Sequence, residues 1–203
     1  MEVTMRNKPI ILGLVAIGLA AFVTVQLGAS LGNQKDSGAK KKSMVERGKW
    51  LVNLGGCNHC HSPKVLSPQG PVPDASKLLS GHPVASTIPE IPPGVLAPEK
   101  WGALVTGDLT AWAGPWGVSF GANLTSDVAT GIGSWTDAMF IKALRTGKHM
   151  GEGRNILPPM PWPDIGQLND NDLKAIFAYL KSLKPVANAV PDPIPPSGPA
   201  PMK

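Results

Sequence analysis

Residues 57–61 read Cys-Asn-His-Cys-His, and the 203-residue chain has no other cysteine. A framework of several disulfides is therefore impossible, and the two thiols must pair, bind metal or carry a group covalently. The C-x-x-C-H spacing suits haem attachment, with two thiols reaching the two vinyl groups and the adjacent histidine meeting the iron from one side. Zinc is a poor rival, because Cys60 and His61 are adjacent and no second C-x-x-C or His-x-x-x-His completes a tetrahedron. A thioredoxin-like dithiol needs a strand-helix-strand setting that the flanking sequence lacks.

The export signal strengthens that reading. Residues Ile10 to Leu27 are almost wholly apolar, follow Arg6 and Lys8, and as a helix would span about 27 Å, close to the hydrocarbon thickness. Positive charge before the apolar run keeps the N-terminus cytoplasmic and sends the rest across. Gly28-Ala29-Ser30 offers a cleavage site, while the length suits a retained anchor, so residues 1–30 are read as a signal anchor or signal peptide. Residues 31–42 form a polar linker with the run Lys40, Lys41 and Lys42, and account for part of the formal charge of +5. No basic nucleic-acid motif is visible, and no nucleic-acid partner is expected.

The remainder reads as one haem-binding domain over 43–190 and a proline-rich disordered tail over 191–203. Ser43-Met44-Val45-Glu46 has capping-box form and opens a helix to about Leu54, stopped by Gly55-Gly56. Thr136 caps a second helix ending at Gly147. Asn169 caps a third, with Leu168 and Leu173 as a staple, and Pro185 marks its end. Between them, 23 glycines and 22 prolines across the chain disfavour long regular sheets. The stretch from Ser62 to about Phe120 shows no sustained periodicity. Its aromatic residues Trp101, Trp112, Trp116 and Phe120 predict an ordered loop packed around something.

A second axial ligand keeps coordination unchanged between ferric and ferrous states. Met160 is the leading candidate, since Leu157-Pro158-Pro159-Met160-Pro161-Trp162 is a stiff loop able to hold a thioether toward iron. His149 and Met150, on a glycine-rich stretch, are the alternatives.

With the N-terminal helix, the Cys57–His61 motif, the methionine loop and the final Ala178-Tyr179-Leu180 helix, the chain resembles the class I cytochrome c family. More narrowly, Asn123-Leu124-Thr125, Gly131-Ile132-Gly133-Ser134-Trp135-Thr136-Asp137 and Met160-Pro161-Trp162 resemble haem domains of membrane-associated dehydrogenase cytochrome c subunits. Those subunits usually carry several haems, whereas this chain has one motif. The resemblance implies a mostly α class I cytochrome c fold with a long Pro/Gly-rich loop, preceded by an N-terminal hydrophobic helix. In it the N-terminal helix crosses the last one, with Gly48 approaching Tyr179. It also implies that the Pro71 carbonyl accepts a hydrogen bond from His61, and that Trp135 and Asn123 lie near the haem propionates or interior edge.

The expected function is electron transfer by one covalently bound haem c, with His61 and Met160 on the iron and no substrate bond made or broken. Expected partners are extracytoplasmic redox proteins, and the membrane if the N-terminal segment is uncleaved. The place of action is the periplasm or the outer face of the cytoplasmic membrane. The competing readings are a haem enzyme or ligand-binding haem protein with a displaceable sixth ligand, and a non-redox interaction module.

Overall fold

The computed structural model describes residues 38–96 and 99–196. The chain divides into two compact units, Met1–Ser43 and Met44–Lys203. Of the first, residues 38–43 are described, and they are helical. The apolar run at 10–27, the small residues Gly28-Ala29-Ser30 and the tail beyond residue 196 lie outside the described residues. Among those described, no helix is long and apolar enough to cross a membrane.

Helix α1 covers residues 38–54. It begins upstream of the expected cap, so residues 38–42 of the expected linker are helical and Ser43 lies inside the helix, its Oγ donating to the Lys40 carbonyl at 2.8 Å. Ala39 through Lys42 are good helix formers with no breaker among them, which accounts for the extension. Past a turn at Gly55-Gly56 comes α2, Cys57–His61, entered through Gly56 at φ 63°.

Helix α3, Asp137–Thr146, has the expected cap, with Thr136 Oγ1 accepting from the Met139 amide, and it ends at Gly147 with φ 66°. A short 3-10 turn, His149–Gly151, and a four-residue helix α4, Trp162–Ile165, follow. Helix α5, Asp170–Ser182, is capped by Asn169, whose side chain accepts from the Asp172 amide. Leu51 and Val52 of α1, Phe140 and Leu144 of α3, and Leu173, Ile176, Phe177 and Leu180 of α5 share one hydrophobic cluster. Gly48 lets α1 reach α5: a Cβ there would collide with the Ala175 carbonyl and lie 2.8 Å from Tyr179 Cβ. The expected approach of Gly48 to Tyr179 is therefore present. Arg47 pins the crossing from outside, its Nε 2.9 Å from Asp172 Oδ1.

The mostly α expectation needs correction, because the fold is mixed. Between His61 and Asn123 the chain forms two small antiparallel sheets. Strands β1, Lys64–Ser67, and β2, Gly70–Pro73, pair with Val65 opposite Val72. Strands β3, Leu104–Val105, β4, Ala111–Gly114, and β5, Gly117–Phe120, form the second sheet in that order. These strands have four residues or fewer, so a two-residue period has no room to show.

The chain after α5 has no regular helix or strand among the described residues, yet it docks. Asn188 Nδ2 donates to the Ser80 and His82 carbonyls, both at 2.8 Å, and the Ile194 amide donates to the Val118 carbonyl at 2.9 Å. Residues 191–196, expected to begin a disordered tail, thus include a rung on the edge of β5.

Candidate haem site

All three residues of the motif sit on α2, and their surroundings come from far along the chain. His61 is buried at 9% exposure. Its Nδ1–H donates to the Ala122 carbonyl at 2.8 Å. That bond fixes the tautomer and leaves Nε2 with its lone pair for a ligand. Burial also holds the His61 pKa below its usual value, which favours the neutral, ligating form.

Pro71 does not take the expected role. It is exposed on β2, opposite Leu66, and its place as acceptor is filled by Ala122. The geometry around Ala122 explains why. Gly121 packs so closely on the Cys60 carbonyl that any side chain there would clash, and Gly81, at φ 83°, packs equally closely on Gly121 and Ala122. The Gly81 amide donates to the His61 carbonyl, and the His82 amide to the Gly121 carbonyl, both at 2.8 Å. Two glycines thus let the segments 79–82 and 121–124 close around the back of the histidine.

Cys57 and Cys60 form no disulfide with each other and are half-buried. Burial pushes each thiol up from the usual cysteine range. Dithiol oxidoreductases need the opposite shift, toward an exposed thiolate, so this environment does not suit that chemistry. Nor does it suit zinc: among the described residues no three His, Cys, Asp or Glu side chains converge.

Met160 is half-buried and lies against the same hydrophobic cluster as Cys57, Trp135 and Trp162. Its loop is fastened on both sides. Ser119 Oγ donates to the Pro158 carbonyl at 2.6 Å, and the Trp162 amide donates to the Met160 carbonyl at 2.9 Å. The indole of Trp162 covers Gly147, where a side chain would strike the ring. His149 meets Trp135 edge-on at 5.1 Å between ring centroids, and its neighbour Met150 is exposed with φ 55°.

Asn123 is buried, and its amide is committed to protein. Nδ2 donates to the Val186 carbonyl at 2.8 Å, while Oδ1 accepts from the Thr125 amide at 3.0 Å and from Thr125 Oγ1 at 2.7 Å. It ties down the chain after α5. Trp135 remains half-buried at the rim of the cluster.

The residues fit a haem on these grounds: a buried neutral imidazole with one nitrogen locked, two neighbouring thiols, and apolar side chains that border both Cys57 and Met160. Sequence reasoning missed Ala122, Ser62 and Lys64. The small pair Gly121-Ala122 before Asn123, and the polar residues directly after the motif, were the available signals.

No family model matches the chain. Curated relatives do. The cytochrome c subunit of alcohol dehydrogenase (quinone) from Gluconobacter oxydans (strain 621H) is 29% identical over 180 residues, which cover 87% of this chain and 28% of that protein. The gluconate 2-dehydrogenase cytochrome c subunit of Pantoea cypripedii is 30% identical over 151 residues, covering 74% of this chain and 26% of the relative. The fructose dehydrogenase cytochrome subunit of Gluconobacter japonicus is 36% identical over 77 residues, covering 37% and 16%. The chain thus spans about a quarter of the length of the curated relatives that match most of it. Its homologues are cytochrome c subunits of dehydrogenases.

Proposed function

We propose that this chain is a single-haem c-type cytochrome that passes electrons one at a time between extracytoplasmic redox partners, on a class I cytochrome c arrangement of α1 and α5. The observation that carries the reading is His61, buried and neutral, with Nδ1–H given to Ala122 and Nε2 left for iron. Haem c, attached once through Cys57 and Cys60, would supply the one-electron iron chemistry. His61 provides one axial ligand and the Met160 thioether the other. The Ser119–Pro158 bond and the Trp162–Gly147 contact hold the Met160 loop, which favours a fixed ligand over a displaceable one. Thioether ligation favours the ferrous state relative to a second histidine, so the potential lies in the higher part of the c-type range.

The names of the relatives point to a dehydrogenase as the redox partner, with this chain the electron carrier and the catalytic work done elsewhere. The apolar run at 10–27 directs export, so the haem works in the periplasm or on the outer face of the cytoplasmic membrane, anchored there if the run is retained.

The test is an absorption spectrum of the exported protein, oxidised and reduced. The expected result is a haem that survives denaturing gel electrophoresis, is lost in Cys57→Ala/Cys60→Ala, and shows a weak near-infrared iron–sulfur band that disappears in Met160→Ala. A native protein without that band overturns Met160 ligation, and bis-histidine or open-site chemistry then moves ahead.

A further inference from the structure

We infer that Lys64 is the positioning residue of the attachment helix, clamping the end of α2 and raising the reduction potential of the group held there by its charge. The inference rests on the haem reading above. Helix α2 is five residues long and gives way at Ser62 to extended backbone, so its last carbonyls have no helical partners. Lys64, the first residue of β1, turns its ammonium back across that end. Nζ donates to the carbonyls of Ser62 at 2.5 Å, His59 at 2.8 Å and Asn58 at 3.1 Å. All three ammonium donors are thus spent on the carbonyls at one helix end.

A second tie runs beside the first. Ser62 Oγ, fully buried, donates to Asn58 Oδ1 at 2.8 Å and accepts from the Leu79 amide at 2.8 Å. Together the two ties hold the attachment segment in helical form, which keeps both thiols and His61 in one relative geometry.

The ammonium is half-buried, and among the described residues no carboxylate comes within ion-pair distance of it. Asp108 is the acidic group whose field reaches it. Its charge is therefore balanced mainly by carbonyl dipoles, and much of its field remains. A fixed cation next to the attachment helix disfavours the ferric state, which carries one more positive charge than the ferrous, so it raises the potential. Arg keeps both charge and donors at this position, while Gln keeps a donor and loses the charge.

The experiment expresses the full chain with its export segment as wild type, Lys64→Gln and Lys64→Arg, and measures covalent haem per chain and the midpoint potential by redox titration. Lys64→Gln should carry haem in a smaller fraction of chains. In those that mature, the ferrous-to-ferric ratio at fixed ambient potential should fall on the order of tenfold, about 59 mV for a one-electron couple. Lys64→Arg should restore both. A matured Lys64→Gln protein with the wild-type midpoint overturns the inference. If Lys64→Gln gives no holoprotein at all, maturation of Lys64→Arg supports the clamp, and failure of Lys64→Arg as well overturns it. A wild-type chain without covalent haem is a separate outcome: it sinks the haem reading, and the inference falls with it.

Discussion

His82 is buried to 1% exposure, and its Nδ1 lies 2.7 Å from Thr110 Oγ1. Thr110 already donates its proton to Asp108 Oδ2 at 2.7 Å, so the imidazole is the donor, and the buried Nε2 has no partner among the described residues. Protonation would place an N–H there with no acceptor. Burial therefore holds the pKa below the usual histidine value, with Asp108 opposing. The folded state then binds this proton less readily than the unfolded chain, so stability is full above about pH 6.5 and declines as pH falls from there toward the folded-state pKa. Unfolding of the holoprotein followed from pH 7 to 5 should show that decline, and His82→Gln should make it shallower; an equal slope in both refutes the assignment. Asn123→Ala strands the hydrogen-bonding groups of Thr125 and Val186, and should lower unfolding free energy by about 3 kcal/mol in denaturant titration. At this scale the motif residues stand out in sequence because the C-x-x-C-H spacing proposed for haem attachment is demanding. Ala122 does not, because a backbone carbonyl acts there and no side-chain chemistry marks it.

Helix ends show the same division. Thr136 and Asn169 were readable as caps since each precedes an apolar helical repeat and is followed by a stop, and both accept the expected amide. Ser43 has a cap's surroundings but sits within α1, where upstream Ala and Lys continue the helix. The strands between residues 64 and 120 could not be read, because each is held by tertiary pairing that outweighs weak local preference. Where α1 meets α5 the limiting contact is backbone. Gly48→Ala gains helix propensity but drives a Cβ into the Ala175 carbonyl, and the net loss should be about 2 kcal/mol, read as a lower denaturant midpoint with unchanged slope. A Gly48→Ala protein as stable as wild type would mean that the two helices part at no cost.

Across the second unit, the proline-rich chain after α5 does more than trail from a finished domain. Asn188 joins it to residues 80–84, accepting from the Val84 amide at 3.0 Å as well as donating to Ser80 and His82. Asn188→Ala should speed hydrogen exchange at the Val84 amide and lower stability by about 2 kcal/mol, leaving the midpoint potential unchanged. Composition had suggested a solvated tail, because alternating prolines carry no periodicity that would reveal a docked strand. The bond from His61 to Ala122 spans 61 positions of chain, and this separation orders events in time. Closing so long a loop costs entropy before any contact repays it, so short-range helices form first and this contact late. During that interval the imidazole can rotate and exchange its tautomer, and under the proposed haem ligation His59 or His149 can compete for the same iron. On that proposal, native ligation is a product of completed folding, and its rate of appearance in refolding should follow closure of the 62–121 excursion rather than formation of α2.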